Sequence, residues 1–170
     1  NKTLAATGQN PSELIRVGII GTGGQGLANM RAIIKNVAAV CDVDTTHAAT
    51  AAALVEKSTT RKPTVYSDYR KLLEDKSIDA VLVATPDHTH AVASLAAIGH
   101  GKHVYCEKPL AHTIAEVRAM RKAALEAKVI TQVGNQGHSS DSIRAFVEMV
   151  QSGAIGKVSE IHAGCDAFKD

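Results

Sequence analysis

Short apolar runs alternate along the chain with longer segments in which apolar residues recur at helical spacing. The runs predict six strands, at 17–20, 37–41, 63–66, 80–84, 102–106 and 129–133. The intervening segments predict helices at 27–35, 45–57, 68–75, 88–98 and 113–128. Strands separated by single helices form right-handed βαβ units, and continuous apolar strands are typical of a parallel sheet with helices on both faces. The predicted fold class is therefore α/β, with a doubly wound parallel sheet.

The pattern changes after residue 134. A helix is predicted at 141–151 and a turn at 152–156, and residues 157–163 alternate as in a half-exposed strand. That strand has no partner in view, so we expect it to begin a second α/β domain that the chain contains only in part. The predicted organisation is a polar, aperiodic lead-in at 1–14, a sheet domain at 15–134, and the start of a truncated C-terminal domain at 135–170.

The first predicted strand breaks abruptly into a glycine-rich loop that fits G-x-G-x-x-G. In such a loop the first glycine permits a tight turn, the second lets a pyrophosphate approach the backbone, and the third allows close packing of helix on strand. The helix that follows offers unpaired N–H groups and a positive dipole end to phosphates. Glycine-rich turns are common, so the strand before the loop and the helix after it are what favour a dinucleotide site. The loop residues are Gly21, Thr22, Gly23, Gly24, Gln25 and Gly26.

Asp42 follows the second predicted strand, 21 residues after Gly21. A dinucleotide site places at this point an acidic side chain that accepts from the 2′-hydroxyl of the adenosine ribose. A carboxylate there repels a 2′-phosphate, so NAD is favoured over NADP. The alternative is a strand-end residue that caps the next helix, but Asp44 already fills that role.

Two further polar segments follow the fourth and fifth strands, at the sheet edge where open α/β proteins bind ligands. Thr85-Pro-Asp-His-Thr-His90 follows the fourth strand and Glu107-Lys-Pro109 the fifth. A lysine at this edge is suited to hydrogen-bond a substrate hydroxyl and to stabilise the alkoxide that develops as a hydride departs. Pro109 would aim that turn and Glu107 would orient the ammonium. The alternative for an arbitrary E-K-P segment is a salt-bridged surface turn.

His88 and His90 also form an H-x-H pair, which is one element of a metal site. Zinc sites need three or four protein ligands, and no third ligand of suitable spacing is present. We therefore predict no metal site, and we predict that Asp87 caps the following helix.

In their order and spacing, the glycine loop, the A-T-P-x-x-x-H segment 84–90 and Glu107-Lys108-Pro109 resemble the Gfo/Idh/MocA oxidoreductase family. The resemblance runs from about residue 16 to about residue 163. It implies a Rossmann domain that binds NAD(P), followed by a domain that binds substrate and mediates homo-oligomerisation. It also implies that Lys108 is the catalytic lysine and that Pro86 and His90 line the nicotinamide end of the cofactor.

The predicted site residues combine these implications with the spacing. Asn135, just after the sixth strand, is included as a group that reaches cofactor or substrate, with a hydrogen-bonding role in its own loop as the alternative. Lys108 is the predicted catalytic residue. The predicted cofactor-binding residues are the glycine loop 21–26, Asp42, Thr85, Pro86, His88, His90, Glu107 and Asn135.

Composition narrows the choice of partners. The net charge is +2, and the chain has three Tyr, two Phe and no Trp, so neither a basic patch nor a base-stacking platform for nucleic acid is predicted. No apolar run approaches the ~18 residues that span a bilayer. Cys41, Cys106 and Cys165 lie far apart and are predicted to be buried free thiols, which favours a cytoplasmic protein. A periplasmic or otherwise exported location is expected if an N-terminal signal has been removed.

Three functions remain open from the sequence. The first is an NAD-dependent oxidoreductase that passes a hydride between nicotinamide and a hydroxyl-bearing carbon of a sugar, cyclitol or related polyol. The second is an NAD-dependent glycoside hydrolase of the same fold, which would recycle its cofactor within a turnover. The third is a dinucleotide-binding fragment without catalytic competence.

Overall fold

A computed structural model describes residues 14–162 and Gly164. The predicted lead-in at 1–14 lies outside the described residues except for its last position, and Cys165 lies outside them as well. By its internal contacts the chain divides into two units, residues 1–134 and residues 135–170. Within the described part of both units, no helix has the length and apolar character needed to cross a membrane.

The first unit is built on a parallel sheet flanked by helices. Its strands are β1 (Val17–Ile20), β2 (Val37–Cys41), β3 (Thr64–Tyr66), β4 (Ala80–Val83), β5 (His103–Glu107) and β6 (Thr131–Gly134). Its helices are α1 (Gly24–Ala32), α2 (Thr45–Thr59), α3 (Tyr69–Glu74), α4 (His90–Gly99) and α5 (Ile114–Ala127).

The strand order is β3-β2-β1-β4-β5-β6, which confirms the predicted doubly wound sheet. The chain moves outward from β1 to β3 on one side and then returns to β4 on the other side of β1. The connections after β1 and β4 therefore leave the sheet in opposite directions. This divergence opens a crevice at the carboxyl edge, which is where sheets of this kind bind ligands.

Alternate side chains of the strands enter two different apolar layers. Ile19 packs in one layer with Val55 of α2, while Ile20 packs in the other with Leu72 of α3 and Ile98 of α4. All five side chains are buried. Because both faces of the sheet are covered, its central strands tolerate apolar residues at successive positions, as the sequence pattern indicated.

Side-chain caps begin α2 and α5, and the cap of α2 is the residue that the sequence predicted. Asp44 precedes α2 and accepts from the N–H groups of Thr46 at 2.7 Å and His47 at 3.3 Å. Thr113 precedes α5, where its Oγ1 accepts from the Glu116 N–H at 3.2 Å and Glu116 Oε2 accepts from the Thr113 N–H at 2.8 Å. Each cap pairs N–H groups that a first helical turn leaves without a partner.

Two other helices begin at positions that differ from the prediction. α1 begins at Gly24 rather than residue 27, so the glycine loop itself forms its first turn. α4 begins at His90, and the prediction that Asp87 caps it is wrong. Residues 87–89 instead form a separate 3-10 turn, closed by a bond from the Thr89 N–H to the Pro86 carbonyl at 2.9 Å. Because of this turn, α4 begins two residues later than predicted. The Asp87 carboxylate accepts from the neighbouring His88 N–H at 2.8 Å instead.

The second unit contains a 3-10 turn, Gln136–Ser139, and helix α6, Asp141–Gln151. Ser140 caps α6 through its Oγ, which accepts from the Ile143 N–H at 3.4 Å. Residues 157–162 form no strand, so the strand predicted at 157–163 is wrong over its described part. A strand is held by the backbone of a neighbouring strand, and none of the described residues of this unit provides one.

A buried lysine holds the turn that leads into β4. Lys102 is 7% exposed, and its ammonium donates to the carbonyl oxygens of Asp75 at 2.8 Å and Ile78 at 2.7 Å. These carbonyls belong to the connection between α3 and β4. The side chain therefore pairs two acceptors of that connection and fixes it to the start of β5.

We expect Lys102→Met to lower the free energy of unfolding by about 2 kcal/mol, because it keeps an apolar stem and leaves the two carbonyls without their charged donor. Urea denaturation measures this quantity. Lys122→Met is the control, since Lys122 is an exposed lysine 3.9 Å from Glu126 and should leave stability unchanged. Equal unfolding midpoints for the two variants would contradict the structural role of Lys102.

Candidate cofactor site and active-site edge

Gly21 ends β1 in a backbone conformation that favours glycine, with φ at +88°. Its N–H donates to the carbonyl of Cys41, at the end of β2, at 2.9 Å. A Cβ on Gly21 would lie 2.6 Å from the carbonyl oxygen of Ala84, which follows β4. The ends of these three strands therefore meet at one residue that has room for no side chain.

α1 packs directly on this turn. A Cβ on Gly26 would collide with the carbonyl oxygen of Gly21, so a glycine is required here as well. The N–H groups of Gly24, Gln25 and Gly26 lie in the first helical turn, where they have no acceptor within the helix. The positive end of the helix dipole adds to them, which makes the loop suited to a pyrophosphate.

The Asp42 carboxylate lies against the glycine loop. Its Oδ2 accepts from the Thr22 N–H at 2.7 Å and from the Thr22 hydroxyl at 3.0 Å, and its Oδ1 accepts from the Asp44 N–H at 3.0 Å. The side chain is 12% exposed, so a bound ligand can reach only part of it. Asp42 therefore ties the end of β2 to the loop and presents negative charge beside it.

His47, in the first turn of α2, also faces this acidic cluster. Its Nδ1 lies 4.0 Å from Asp42 Oδ2 and 3.9 Å from Asp44 Oδ2. It also lies 3.1 Å from where a Cβ on Gly23 would be, so the ring borders the glycine loop. The N–H groups of Thr46 and His47 hold the pKa of Asp44 below its usual value. The sequence pattern alone predicted no role for His47, although its place in the helix after the strand-end acid was a usable signal.

Cys41 adjoins the site without the chemistry of a reactive thiol. Burial, together with the negative charges of Asp42 and Asp68, raises its pKa to about 12. The thiol therefore stays protonated and unreactive near neutral pH. Cys41 and Cys106 are both buried and free, as predicted.

The segment after β4 is held by its own hydroxyl groups and by His90. The Thr89 Oγ1 lies 2.8 Å from both the Thr85 Oγ1 and the Pro86 carbonyl oxygen. Pro86 and His88 are exposed, with His88 Nδ1 3.8 Å from an Asp87 oxygen. His90 is buried below them, with its Nε2 2.7 Å from the Thr85 carbonyl oxygen.

The turn after β5 carries the exposed Lys108, and the residue before it, Glu107, is buried. Glu107 is 4% exposed, and its carboxylate accepts from the Lys108 N–H at 3.3 Å and from the Asn29 side chain. Gly134 makes room for it, because a Cβ there would lie 2.5 Å from Glu107 Oε1. The Lys108–Pro109 peptide bond is cis. Lys108 is exposed at the carboxyl edge, and no described side chain accepts from its ammonium.

Asn29 contributes contacts that the sequence pattern did not predict. Its Oδ1 accepts from Gln25 at 2.8 Å and its Nδ2 donates to Glu107, so it connects the glycine loop to the lysine turn. The i, i+4 spacing from Gln25 was visible in the sequence. Its partner Glu107 is 78 residues away, which no local pattern indicates.

The structure brings most of the predicted site residues together at one edge of the first unit. The end of β1, where the loop begins, is joined to Ala84 by the bond from the Ala84 N–H to the Ile20 carbonyl at 2.9 Å. The segment 85–90 and the lysine turn are joined through His90. Asn135 belongs to the second unit and is exposed there. The cofactor and catalytic roles assigned to these residues stay predictions. Over residues 14–162 and 164, no group of three or more His, Cys, Asp or Glu side chains could hold a metal ion.

Comparison with known proteins identifies the family to which the chain belongs. Residues 15–135 match the model of an oxidoreductase family described by its NAD-binding Rossmann fold. Inositol 2-dehydrogenase 2 of Saccharopolyspora erythraea is 35% identical over 155 residues, which cover 88% of this chain and 44% of that protein.

Solved structures agree with the match. Myo-inositol 2-dehydrogenase from Lactobacillus plantarum superposes with a TM-score of 0.74 at 28% identity, over 85% of this chain and 43% of that one. Levoglucosan dehydrogenase in complex with NADH and levoglucosan gives 0.71 at 29% identity, over 85% and 41%. The chain thus spans less than half the length of these relatives. It belongs to the Gfo/Idh/MocA oxidoreductase family, and its six-stranded sheet is the NAD-binding Rossmann fold of that family.

Proposed function

We propose that this chain is the cofactor-binding part of an NAD-dependent oxidoreductase that acts on a hydroxyl group of a sugar, cyclitol or related polyol. The observation that carries the proposal is the joining of the glycine loop, the Asp42 carboxylate and the exposed Lys108 along one sheet edge. A dinucleotide that lies along such an edge has its adenosine at one end and its nicotinamide at the other.

The residues at this edge fit the parts of NAD. The first-turn N–H groups of α1 would hold the pyrophosphate, and Asp42 would accept from the adenosine ribose. Thr85, Pro86 and His88 follow β4, on the far side of the crevice from Asp42, and would border the nicotinamide. The bound nicotinamide supplies a hydride acceptor, so that alcohol and NAD⁺ give carbonyl compound, NADH and a proton.

Lys108 would act on the substrate oxygen. Its ammonium has no acceptor among the described residues and is exposed at the edge, so it is available to donate a hydrogen bond. As the hydride leaves carbon, negative charge develops on the oxygen, and a positive donor held at that position stabilises it. Glu107 keeps the turn in place through the Lys108 N–H rather than through the ammonium.

The substrate class rests on the relatives. Those named above are inositol and levoglucosan dehydrogenases, whose named substrates are hydroxyl-rich rings. We propose a small sugar or polyol as the substrate and self-association of the full-length protein. The free thiols of Cys41 and Cys106 support a reducing, cytoplasmic setting.

The first prediction concerns cofactor choice. Asp42→Ser should lower the affinity for NAD⁺ about tenfold, through the loss of a hydrogen bond to a charged acceptor. It should also raise the ratio of NADP⁺ to NAD⁺ affinity, because a 2′-phosphate no longer meets a carboxylate. Titration calorimetry on the chain with both cofactors measures this ratio.

The ratio of NADP⁺ to NAD⁺ affinity distinguishes a change in cofactor selection from a general disturbance of the loop. Such a disturbance would weaken the binding of both cofactors to the same extent. Asp44→Ser is the matched control, since it removes the neighbouring carboxylate, keeps a residue that can cap the helix, and should leave the ratio unchanged. An unchanged ratio in Asp42→Ser would refute the assignment of Asp42.

The second prediction separates binding from catalysis. Lys108→Met should leave NAD⁺ affinity within about twofold of the unaltered chain, because the ammonium acts on the substrate rather than the cofactor. In the full-length protein it should lower kcat by roughly 10²- to 10³-fold, as removal of a donor to a developing oxyanion does.

Calorimetry on the chain and an NADH assay with a polyol panel make the two measurements. Lys122→Met, an exposed lysine on α5, should leave both unchanged. Full activity of the Lys108→Met enzyme would exclude the proposed role. Activity on an aryl glycoside without net NADH would instead favour the glycosidase alternative.

A further inference from the structure

His90 makes two short contacts from a buried position. The side chain is 2% exposed. Its Nδ1 lies 2.7 Å from the Pro109 carbonyl oxygen and its Nε2 lies 2.7 Å from the Thr85 carbonyl oxygen. The ring therefore fills the space between the segment after β4 and the lysine turn after β5, which are separate in sequence.

The chemistry of the two carbonyl partners determines which protonation state of the His90 ring fits both contacts. A carbonyl oxygen only accepts hydrogen bonds, and a neutral imidazole carries one N–H and one lone pair. With one proton, the second nitrogen would direct its lone pair at an oxygen 2.7 Å away, which is repulsive. Both contacts are hydrogen bonds only when both ring nitrogens carry a proton, and charge-assisted bonds of this kind are shorter and stronger than neutral ones.

Charged groups lie on both elements that pack against the ring. Asp87 and His88 are exposed on the segment after β4, and Lys108 is exposed on the turn after β5. Glu107, the last residue of β5, is buried and bears the carboxylate nearest in sequence to that turn. A buried charge costs free energy unless it is paired or hydrogen-bonded, and here the two carbonyl oxygens offset that cost.

The contacts made by His90 add a side-chain connection between two segments that follow β4 and β5, strands that already pair in the sheet. The segment after β4 is closed on itself by Thr89, whose hydroxyl lies 2.8 Å from groups of Thr85 and Pro86. The lysine turn is held from its other side by Glu107. Beyond the ends of the paired strands, His90 links the two segments, because it contacts the carbonyl next to Pro86 and the carbonyl next to Lys108.

We propose that His90 is a positioning residue that donates from both ring nitrogens and thereby holds the nicotinamide-facing segment and the Lys108 turn at a fixed separation. The part of this proposal that concerns nicotinamide and Lys108 rests on the proposed function. The doubly donating ring does not, since it follows from the two contacts alone. His90 acts through the two backbone segments and needs no contact with the cofactor itself.

The state of the ring is tested directly by nuclear magnetic resonance. In the chain with ¹⁵N-labelled histidine, two-bond ¹H–¹⁵N correlation separates a nitrogen that carries a proton from one that carries a lone pair. The His90 signals are identified by their loss in His90→Gln. At neutral pH we expect both His90 nitrogens to be protonated and slow to exchange with solvent. A lone-pair nitrogen in His90 would overturn the proposal.

The positioning role is tested by comparing two ligands, NAD⁺ and ADP-ribose, which lacks the nicotinamide. His90→Phe keeps a ring and removes both donors, so it should weaken NAD⁺ binding about tenfold and leave ADP-ribose binding unchanged. The glycine loop and Asp42, which hold the shared part of the two ligands, make no contact with the ring through either of its nitrogens. His90→Gln retains N–H donors and should recover part of the loss.

His100→Gln is the matched control, because His100 ends the same helix and its Nδ1 lies 2.9 Å from the Ala96 carbonyl oxygen on the surface. It should bind both ligands as the unaltered chain does. Equal weakening of both ligands by His90→Gln would mean a general structural defect and would overturn the positioning role. If His90→Phe does not fold, His90→Gln still tests the positioning role and the resonance measurement still tests the double protonation of the ring.

The experiments distinguish a failure of the proposed cofactor site from a failure of the proposed role of His90. An unaltered chain that binds neither ligand would refute the cofactor site, while the resonance spectrum would still report whether the ring donates twice. An unaltered chain that binds both, with no effect of either His90 variant on NAD⁺, would refute the positioning role and leave the cofactor site intact.

Discussion

The close approach of the backbone where β1, β2 and β4 end is the constraint on which the site depends. Gly21 donates to the end of β2 and leaves no room for a Cβ beside Ala84, and Gly26 allows α1 to pack on the same turn. Because α1 begins there, its first-turn N–H groups face the crevice at the reversal of strand order. Any side chain at Gly21 or Gly26 would separate these elements and would remove the surface on which a pyrophosphate can lie.

Polar contacts then extend this constraint along the sheet edge. Asp42 binds the loop through Thr22, and Asn29 carries the connection from α1 to Glu107 and the lysine turn. His90 joins that turn to the segment after β4. The site is therefore a chain of side-chain contacts between segments that are far apart in sequence. Such a network keeps its geometry only when each buried polar group has its partner.

Most of the fold could be predicted because the sheet is covered on both faces. Each strand is then an apolar run that local sequence reveals, and all six runs correspond to strands within a few residues. α1 was placed three residues too late because its first turn contains two glycines, which disfavour helix. The strand at 157–163 was wrong because alternation signals a strand only where a partner strand exists, and the described part of the second unit has none.

The site was predicted less completely than the fold, for a physical reason. Glycine spacing and strand ends locate the loop, Asp42 and Lys108, since those positions follow from local pattern and topology. The partners of Asn29 and His90 are set by tertiary packing, across 78 residues and 19 residues respectively. The burial of His90 between the segment after β4 and the lysine turn was not visible in its H-x-H spacing.

A crystal structure of the chain with NAD⁺ would test the central claim most directly, because it locates both ends of the cofactor at once. We expect the pyrophosphate against the first-turn N–H groups of α1, a ribose hydroxyl within hydrogen-bond distance of Asp42, and the nicotinamide between residues 85–88 and Lys108. A cofactor bound elsewhere, or one whose nicotinamide points away from the lysine turn, would contradict the claim that this sheet edge forms one continuous site.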